Sequence, residues 1–181
     1  MRFLRIGITP PDLRLCEGES IVRLLEEKVD IMQLRKPGCT VGEMEALINS
    51  IPESYYDRIR VHSCFELCGK YGLRGAHLNS REREVPAEVT NISRSCHCIA
   101  ELDTPIPSGC RLEYQTLSPI YDSISKQGYA SGFNLDELKG RLVGRNVIAL
   151  GGVTPDKFPE LQAAGFVGAA MLGCLEEYYR H

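Results

Sequence analysis

Short apolar runs alternate along this chain with amphipathic stretches. Eight runs read as strands: Phe3–Thr9, Ile31–Leu34, Ile59–Val61, Gly75–Leu78, Ile92–Ser95, Leu112–Ser118, Val147–Leu150 and Gly168–Leu172. Several are apolar at consecutive positions, the pattern of parallel strands covered on both faces. Between them the spacing becomes helical. Ile21, Leu24, Leu25 and Lys28 share one face of a first helix. Thr40 with Glu43 forms a capping box ahead of Val41, Met44, Leu47, Ile48 and Ile51, and Ser63 with Glu66 predicts a second box. Gly72 is placed to end that helix. Thr154-Pro155 opens a later helix, with Thr154 as N-cap, and Gly165 closes it.

Strands alternating with helices predict a parallel α/β fold, and eight strands favour a closed (β/α)8 TIM barrel over an open sheet. The chain has 181 residues, which fits a single domain over 1–181. Barrels of this kind usually exceed about 200 residues, so some crossover helices must be shortened or missing. The proline-containing stretches 81–90 and 102–109 are the expected places.

Composition narrows the picture further. Hydrophobic residues make up 43% and charged residues 25%, enough apolar material for a sizeable core. Net charge is -3 with scattered Lys and Arg, so no basic field favours nucleic acid or acidic membranes. Arg2 and Arg5 interrupt the first apolar run, which therefore reads as a strand rather than a signal peptide. No run approaches the roughly 18 residues of a membrane span, and a cytoplasmic protein is expected. In that compartment the eight cysteines read mostly as buried free thiols. None of the spacings among His62, Cys64, Cys68, His77, Cys96, His97 and Cys98 is the paired Cys-x2-Cys of a specific zinc site.

Four segments carry candidate chemistry. Val147 to Thr154 is a buried strand ending in Gly151-Gly152 before a helix start, where backbone N–H groups can approach an anion. Gly168 to Gly173 repeats that logic, and the loops after strands 7 and 8 are the usual phosphate site of these barrels. Gln33-Leu34-Arg35-Lys36 ends strand 2 with two cations suited to a polyphosphate or carboxylate. After strand 6, Ser118 to Lys126 supplies hydroxyls and a lysine ahead of a glycine-containing stretch, consistent with a loop closing on an anionic ligand.

The order of these motifs resembles the thiamin phosphate synthase family and its thiazole-tautomerase relatives over essentially the whole chain. The matching stretches are Gln33-Leu34-Arg35-Lys36, Gly75-Ala76-His77-Leu78, Ser95-Cys96-His97, Ser118-Pro119-Ile120-Tyr121 through Ser125-Lys126, Ala149 to Thr154, and Gly165-Phe166-Val167-Gly168. The family reaction joins a hydroxymethylpyrimidine diphosphate to a thiazole phosphate and releases pyrophosphate. The resemblance implies that Arg35 and Lys126 hold the pyrophosphate. It implies that Ser95, Ser123 and Ser125 donate to the phosphates, and that amides at Gly152, Leu172 and Gly173 hold the thiazole phosphate. Gln33, Lys36, His77 and Gly151 complete the implied substrate-binding set. The resemblance also implies Mg2+, small phosphorylated substrates and a homodimer.

The chain departs from that pattern. Where the synthases read Asn-Asp after strand 3, with the Asp on magnesium, this chain has His62-Ser63. Where they read His-Leu-Gly-Gln-x-Asp, it has His77-Leu78-Asn79-Ser80-Arg81-Glu82, leaving Glu82 as the candidate metal ligand. Pro37 replaces the second basic residue of the usual Gln-x-Arg-x-Lys motif. Tautomerase relatives can carry a histidine where Pro119 stands, so an isomerase would use His62, His77 or His97, with His62 favoured. A thiamin phosphate synthase leads these readings. A thiazole tautomerase and a catalytically silent binder of thiamin-related phosphates are the alternatives.

Overall fold

In a computed structural model describing residues 2–122 and 132–180, eight parallel strands close into a barrel in chain order. They are β1 (Leu4–Ile8), β2 (Ile31–Leu34), β3 (Ile59–Val61), β4 (Gly75–Leu78), β5 (Asn91–Cys96), β6 (Arg111–Leu117), β7 (Val147–Leu150) and β8 (Gly168–Met171). Pairing of β1 with β8, Leu4 opposite Gly168 and Gly7 opposite Met171, closes the ring. Only glycine fits at 168, because a Cβ there would stand 2.3 Å from the Leu4 carbonyl oxygen. The helices are α1 (Glu17–Glu27), α2 (Val41–Asn49), α3 (Glu66–Tyr71), α4 (Leu135–Leu138) and α5 (Phe158–Ala163). No helix joins β4 to β5, and only a 3-10 turn at Ile99–Asp103 lies between β5 and β6, so the expected helix losses fall where proline interrupts the pattern.

Local signals succeed where the chain is regular. Thr40 accepts from the Glu43 amide while Glu43 reaches back to the Thr40 amide, completing that capping box. Gly72 ends α3 at φ 62, and Gly165 follows α5 at φ 98. Four expectations need correction. Ser63 does not cap α3: Cys64 turns into the left-handed region at φ 55, the helix begins at Glu66, and Ser63 is left at the barrel mouth. Thr154 holds the N-cap position of a 3-10 turn, but its hydroxyl serves Asp156 instead of a backbone amide. Lys28 leaves the apolar face of α1 for solvent, and Val29 is buried instead. Among the eight free cysteines only Cys68 and Cys96 are buried, so the expectation of mostly buried thiols does not hold.

Alternate strand positions separate two cores. Met32, Leu34, Val61, Ala76, Ile92, Leu117, Val147 and Ala169 pack outward against Leu24, Met44, Leu47 and Leu161 of the helices. The inward set divides again. Ile6, Ile8, Ile31, Ile148 and Ala170 fill one half of the barrel with the ring of Tyr114. Gln33, Arg60, His77 and Ser93, all buried, occupy the other half on β2 to β5. The buried Arg60 guanidinium sits 5.2 Å from the Tyr114 ring centroid and pairs with Glu113 of β6, while also donating to the Ala76 carbonyl at 2.7 Å. Burial pushes the Glu113 carboxyl up, but hydrogen bonding from Arg74 and the charges of Arg60 and Arg74 outweigh it and hold it below the usual range.

Lys36 is the second buried cation. Its ammonium pairs with Glu17 and donates to the carbonyls of Pro10 (2.7 Å) and Asp12 (2.8 Å), using all three N–H donors. This ties the β1–α1 loop to the end of β2. Burial lowers the Lys36 pKa, and Glu17 works against that shift. Lys36→Met should cost about 3 kcal/mol or more, because Glu17 would remain buried without its counter-charge. Chemical denaturation checks this, and adding Glu17→Gln to Lys36→Met should recover part of the loss by removing the stranded charge.

Candidate functional site

At the C-terminal ends of the strands the barrel opens into a cavity of about 510 Å³, lined by residues that include Ile8, Gln33, Arg35, His62, His77, Ser95, Leu150 and Leu172. Its floor is a hydrogen-bonded chain centred on Gln33, which is 0% exposed. The Gln33 carboxamide nitrogen donates to the Tyr114 hydroxyl at 2.8 Å and faces His77 Nδ1 at 3.3 Å. Its oxygen faces His62 Nε2 at 2.8 Å, so His62 carries its proton on Nε2 and donates it. His77 Nδ1 accepts from the Ser93 hydroxyl at 2.7 Å, and His77 Nε2–H donates to Ser95 Oγ at 2.9 Å. Ser95 thereby keeps its own hydroxyl proton for a ligand. The two imidazoles stack with centroids 4.4 Å apart.

Both imidazoles are neutral at pH 7. Burial is the main cause for His62, and the nearby charges of Arg35 and Arg60 add to it, bringing its pKa to about 3. For His77, burial and then the neighbouring His62 and Arg60 hold the ring well below the usual histidine range. His62 as an acid or base working near neutral pH is therefore a poor fit to this site, and its role is that of a fixed donor to Gln33. His97 is exposed and lies outside the floor, with Nδ1 3.3 Å from both the carbonyl and the hydroxyl of Ser118.

The remaining candidates divide by location. Arg35 is exposed at the cavity, and its guanidinium makes no ion pair with any described residue. Lys36 borders the same cavity, but its three donors are committed to the β1–α1 loop, so the adjacent cations have separate uses. Ser63 and Glu82 line the cavity, and so does Leu172, next to Gly173 at the start of a 3-10 turn. Gly151 (φ 96) and Gly152 (φ 61) have a steric requirement of their own: a Cβ on Gly152 would stand 2.4 Å from the Asp122 carbonyl oxygen, and one on Gly151 would stand 2.9 Å from Pro119 Cα. Ser123, Ser125 and Lys126 lie outside the described residues. Tyr114, Ser93, Asn79, Ser80 and Arg81 were not singled out in the sequence. Ser93 and Ser95 are two apart on one strand, and that period was the available signal for Ser93.

The buried His77 and the half-buried His62 link stability to pH. An unfolded histidine titrates near 6.5, and the folded pKa values are lower, so acid protonates the unfolded chain first. Their contribution is complete above about pH 6.5 and is lost as pH falls towards the folded value. His62→Asn should therefore flatten the fall in unfolding free energy between about pH 6.5 and pH 4.5, measured by denaturant titration. A His62 ring that NMR finds protonated at pH 6 would contradict this assignment.

Comparison with known proteins agrees with this architecture. The pattern of the thiamine monophosphate synthase family matches residues 7–175. The chain is 33% identical to a solved thiamine phosphate pyrophosphorylase from Bacteroides thetaiotaomicron, with a TM-score of 0.81 over 98% of this chain and 85% of that one. It is 26% identical to a Geobacter sulfurreducens protein named as a candidate thiamine-phosphate synthase, over 81% of this chain and 73% of that protein. It is 24% identical to a Lactococcus lactis thiamine-phosphate synthase, over 88% and 78% of the two chains. With the family pattern spanning β1 through β8 and the cavity lying at the strand ends, this chain belongs to the thiamine monophosphate synthase family.

Proposed function

We propose that this chain is a thiamin phosphate synthase, a transferase that joins hydroxymethylpyrimidine diphosphate to thiazole phosphate and releases pyrophosphate. The observation that carries the reading is the arrangement of charge in a cavity of this family. A guanidinium that forms no ion pair with a described residue, Arg35, shares the cavity with a neutral hydrogen-bonding floor and an apolar wall of Ile8, Leu150 and Leu172.

That arrangement suits the chemistry. The bond between the pyrimidine methylene carbon and the diphosphate oxygen breaks, and its electron pair leaves on the diphosphate. Arg35 meets the charge that develops there, with Lys126 as its partner on the β6–β7 loop. The thiazole nitrogen then uses its lone pair to form the new C–N bond. Ser95 donates its hydroxyl proton to a phosphate oxygen, since His77 already satisfies its oxygen. The neutral state of His62 and His77 matters here, because an imidazolium on the floor would oppose the pyrimidine cation. His62 and His77 also commit their N–H groups to Gln33 and Ser95, which leaves neither free to deliver a proton for tautomerisation. By the same family resemblance, the enzyme works in the cytoplasm as a homodimer.

Incubation of the purified protein with pyrimidine diphosphate and thiazole phosphate, with and without Mg2+, should yield thiamin phosphate and pyrophosphate in equal amounts. Absence of both products under either condition would remove the synthase reading. Lys126→Ala should weaken pyrophosphate binding about tenfold or more, by loss of a charge-assisted contact, and isothermal calorimetry measures it.

A further inference from the structure

The rim of the cavity carries more positive charge than the floor predicts. Between β4 and β5, Asn79 folds the chain into a tight turn. Its side-chain oxygen accepts from the amides of Arg81 (2.9 Å) and Glu82 (3.1 Å), and its own amide donates to the Glu82 carbonyl at 3.0 Å. The turn brings Arg81 and Glu82 to the same cavity as Arg35. Neither Arg35 nor Arg81 is ion-paired with a described residue, whereas the charge of Lys36 is offset by Glu17.

The oxygen donors here do not fit a preformed site for a divalent cation. Among the described residues Glu82 is the single carboxylate lining the cavity, and it is exposed and adjacent in the chain to Arg81. The Asn79 side-chain oxygen is engaged by two amides, and the Gln33 oxygen is engaged by His62. Ser63, at the end of β3, offers a neutral hydroxyl. Among the described residues no three His, Cys, Asp or Glu side chains converge to hold a metal. A hard cation binds through several oxygens with carboxylates prominent among them, and two guanidinium groups at the rim, neither ion-paired with a described residue, oppose its approach.

We propose that the diphosphate is held between the guanidinium groups of Arg35 and Arg81 without a divalent cation, Arg81 supplying the positive charge on the β4–β5 side of the mouth. The inference rests on the reading that the substrate carries a diphosphate. A guanidinium remains charged at every physiological pH and presents a planar fork that matches phosphate oxygens bidentately. When the carbon–oxygen bond breaks and its electron pair moves to the diphosphate, the two groups meet the added charge from the ends of β2 and β4.

The test is calorimetric titration of inorganic pyrophosphate into the purified protein, in chelator and again in Mg2+. Binding should persist in chelator, and Arg81→Ala should weaken it about tenfold or more, with partial recovery in Arg81→Lys. Arg81 is exposed, so thermal melting of both variants should match the parent. Pyrophosphate binding that requires Mg2+, or an Arg81→Ala variant that binds as tightly as the parent, would overturn the inference. Turnover assayed in parallel separates the two ideas. Synthesis seen only with Mg2+, together with metal-dependent pyrophosphate binding, defeats the inference and leaves the reaction standing. Metal-free, Arg81-dependent binding without any thiamin phosphate does the reverse.

Discussion

The buried carboxamide of Gln33 organises this barrel's mouth. A side chain with two donors and an acceptor, fully removed from water, must find partners for each or destabilise the fold. It finds them on three other strands: His62 on the end of β3, His77 on β4 and Tyr114 on β6. Those contacts set the protons on both imidazoles, and His77 passes the order on to Ser93 and Ser95. One amide therefore determines which hydrogen-bonding groups reach the ligand cavity, and in which sense they donate.

The same requirement explains the division of the interior. A barrel this small fills its centre with side chains, and here the filling is apolar on β1, β7, β8 and the start of β2 at Ile31, and polar from Gln33 of β2 through β5. Tyr114 joins the halves, with its ring in the apolar cluster and its hydroxyl on Gln33. Below it, the Arg60–Glu113 pair closes the polar side. Mobile charge is kept from the floor because burial holds the histidines neutral, while fixed charge stands at the rim on Arg35 and Arg81. Neutral below and cationic above is the polarity that a reaction expelling an anion from a developing cation requires.

The shortened crossovers are compensated by side chains. Arg94 points outward from β5 and donates to the carbonyls of Glu101, Leu102 and Pro105, pinning a segment that has no helix of its own. Lys36 does the equivalent at the other side of the mouth. Arg94 satisfies carbonyls of a crossover without an α-helix, and Lys36 satisfies carbonyls of the loop that leads into α1.

What the sequence by itself determined is whatever neighbours along the chain decide. The bounds of β2, β3, β4 and β7, the Thr40–Glu43 box, the helix-ending Gly72 and the two missing crossovers are local properties of period, capping and proline. The family followed from the order of its motifs. The use of each polar residue depended on groups far away in the chain. Arg35 and Lys36 are adjacent and alike in charge, yet only the fold turns one to the cavity and the other onto Glu17. Ser63 looked like a cap until the left-handed turn at Cys64 moved the helix start. His62 looked like a proton carrier, but its pKa is set by burial against β2 and β4 and by the charges of Arg35 and Arg60. Desolvation and long-range charge have no signature in local sequence, so only the tertiary structure could assign them.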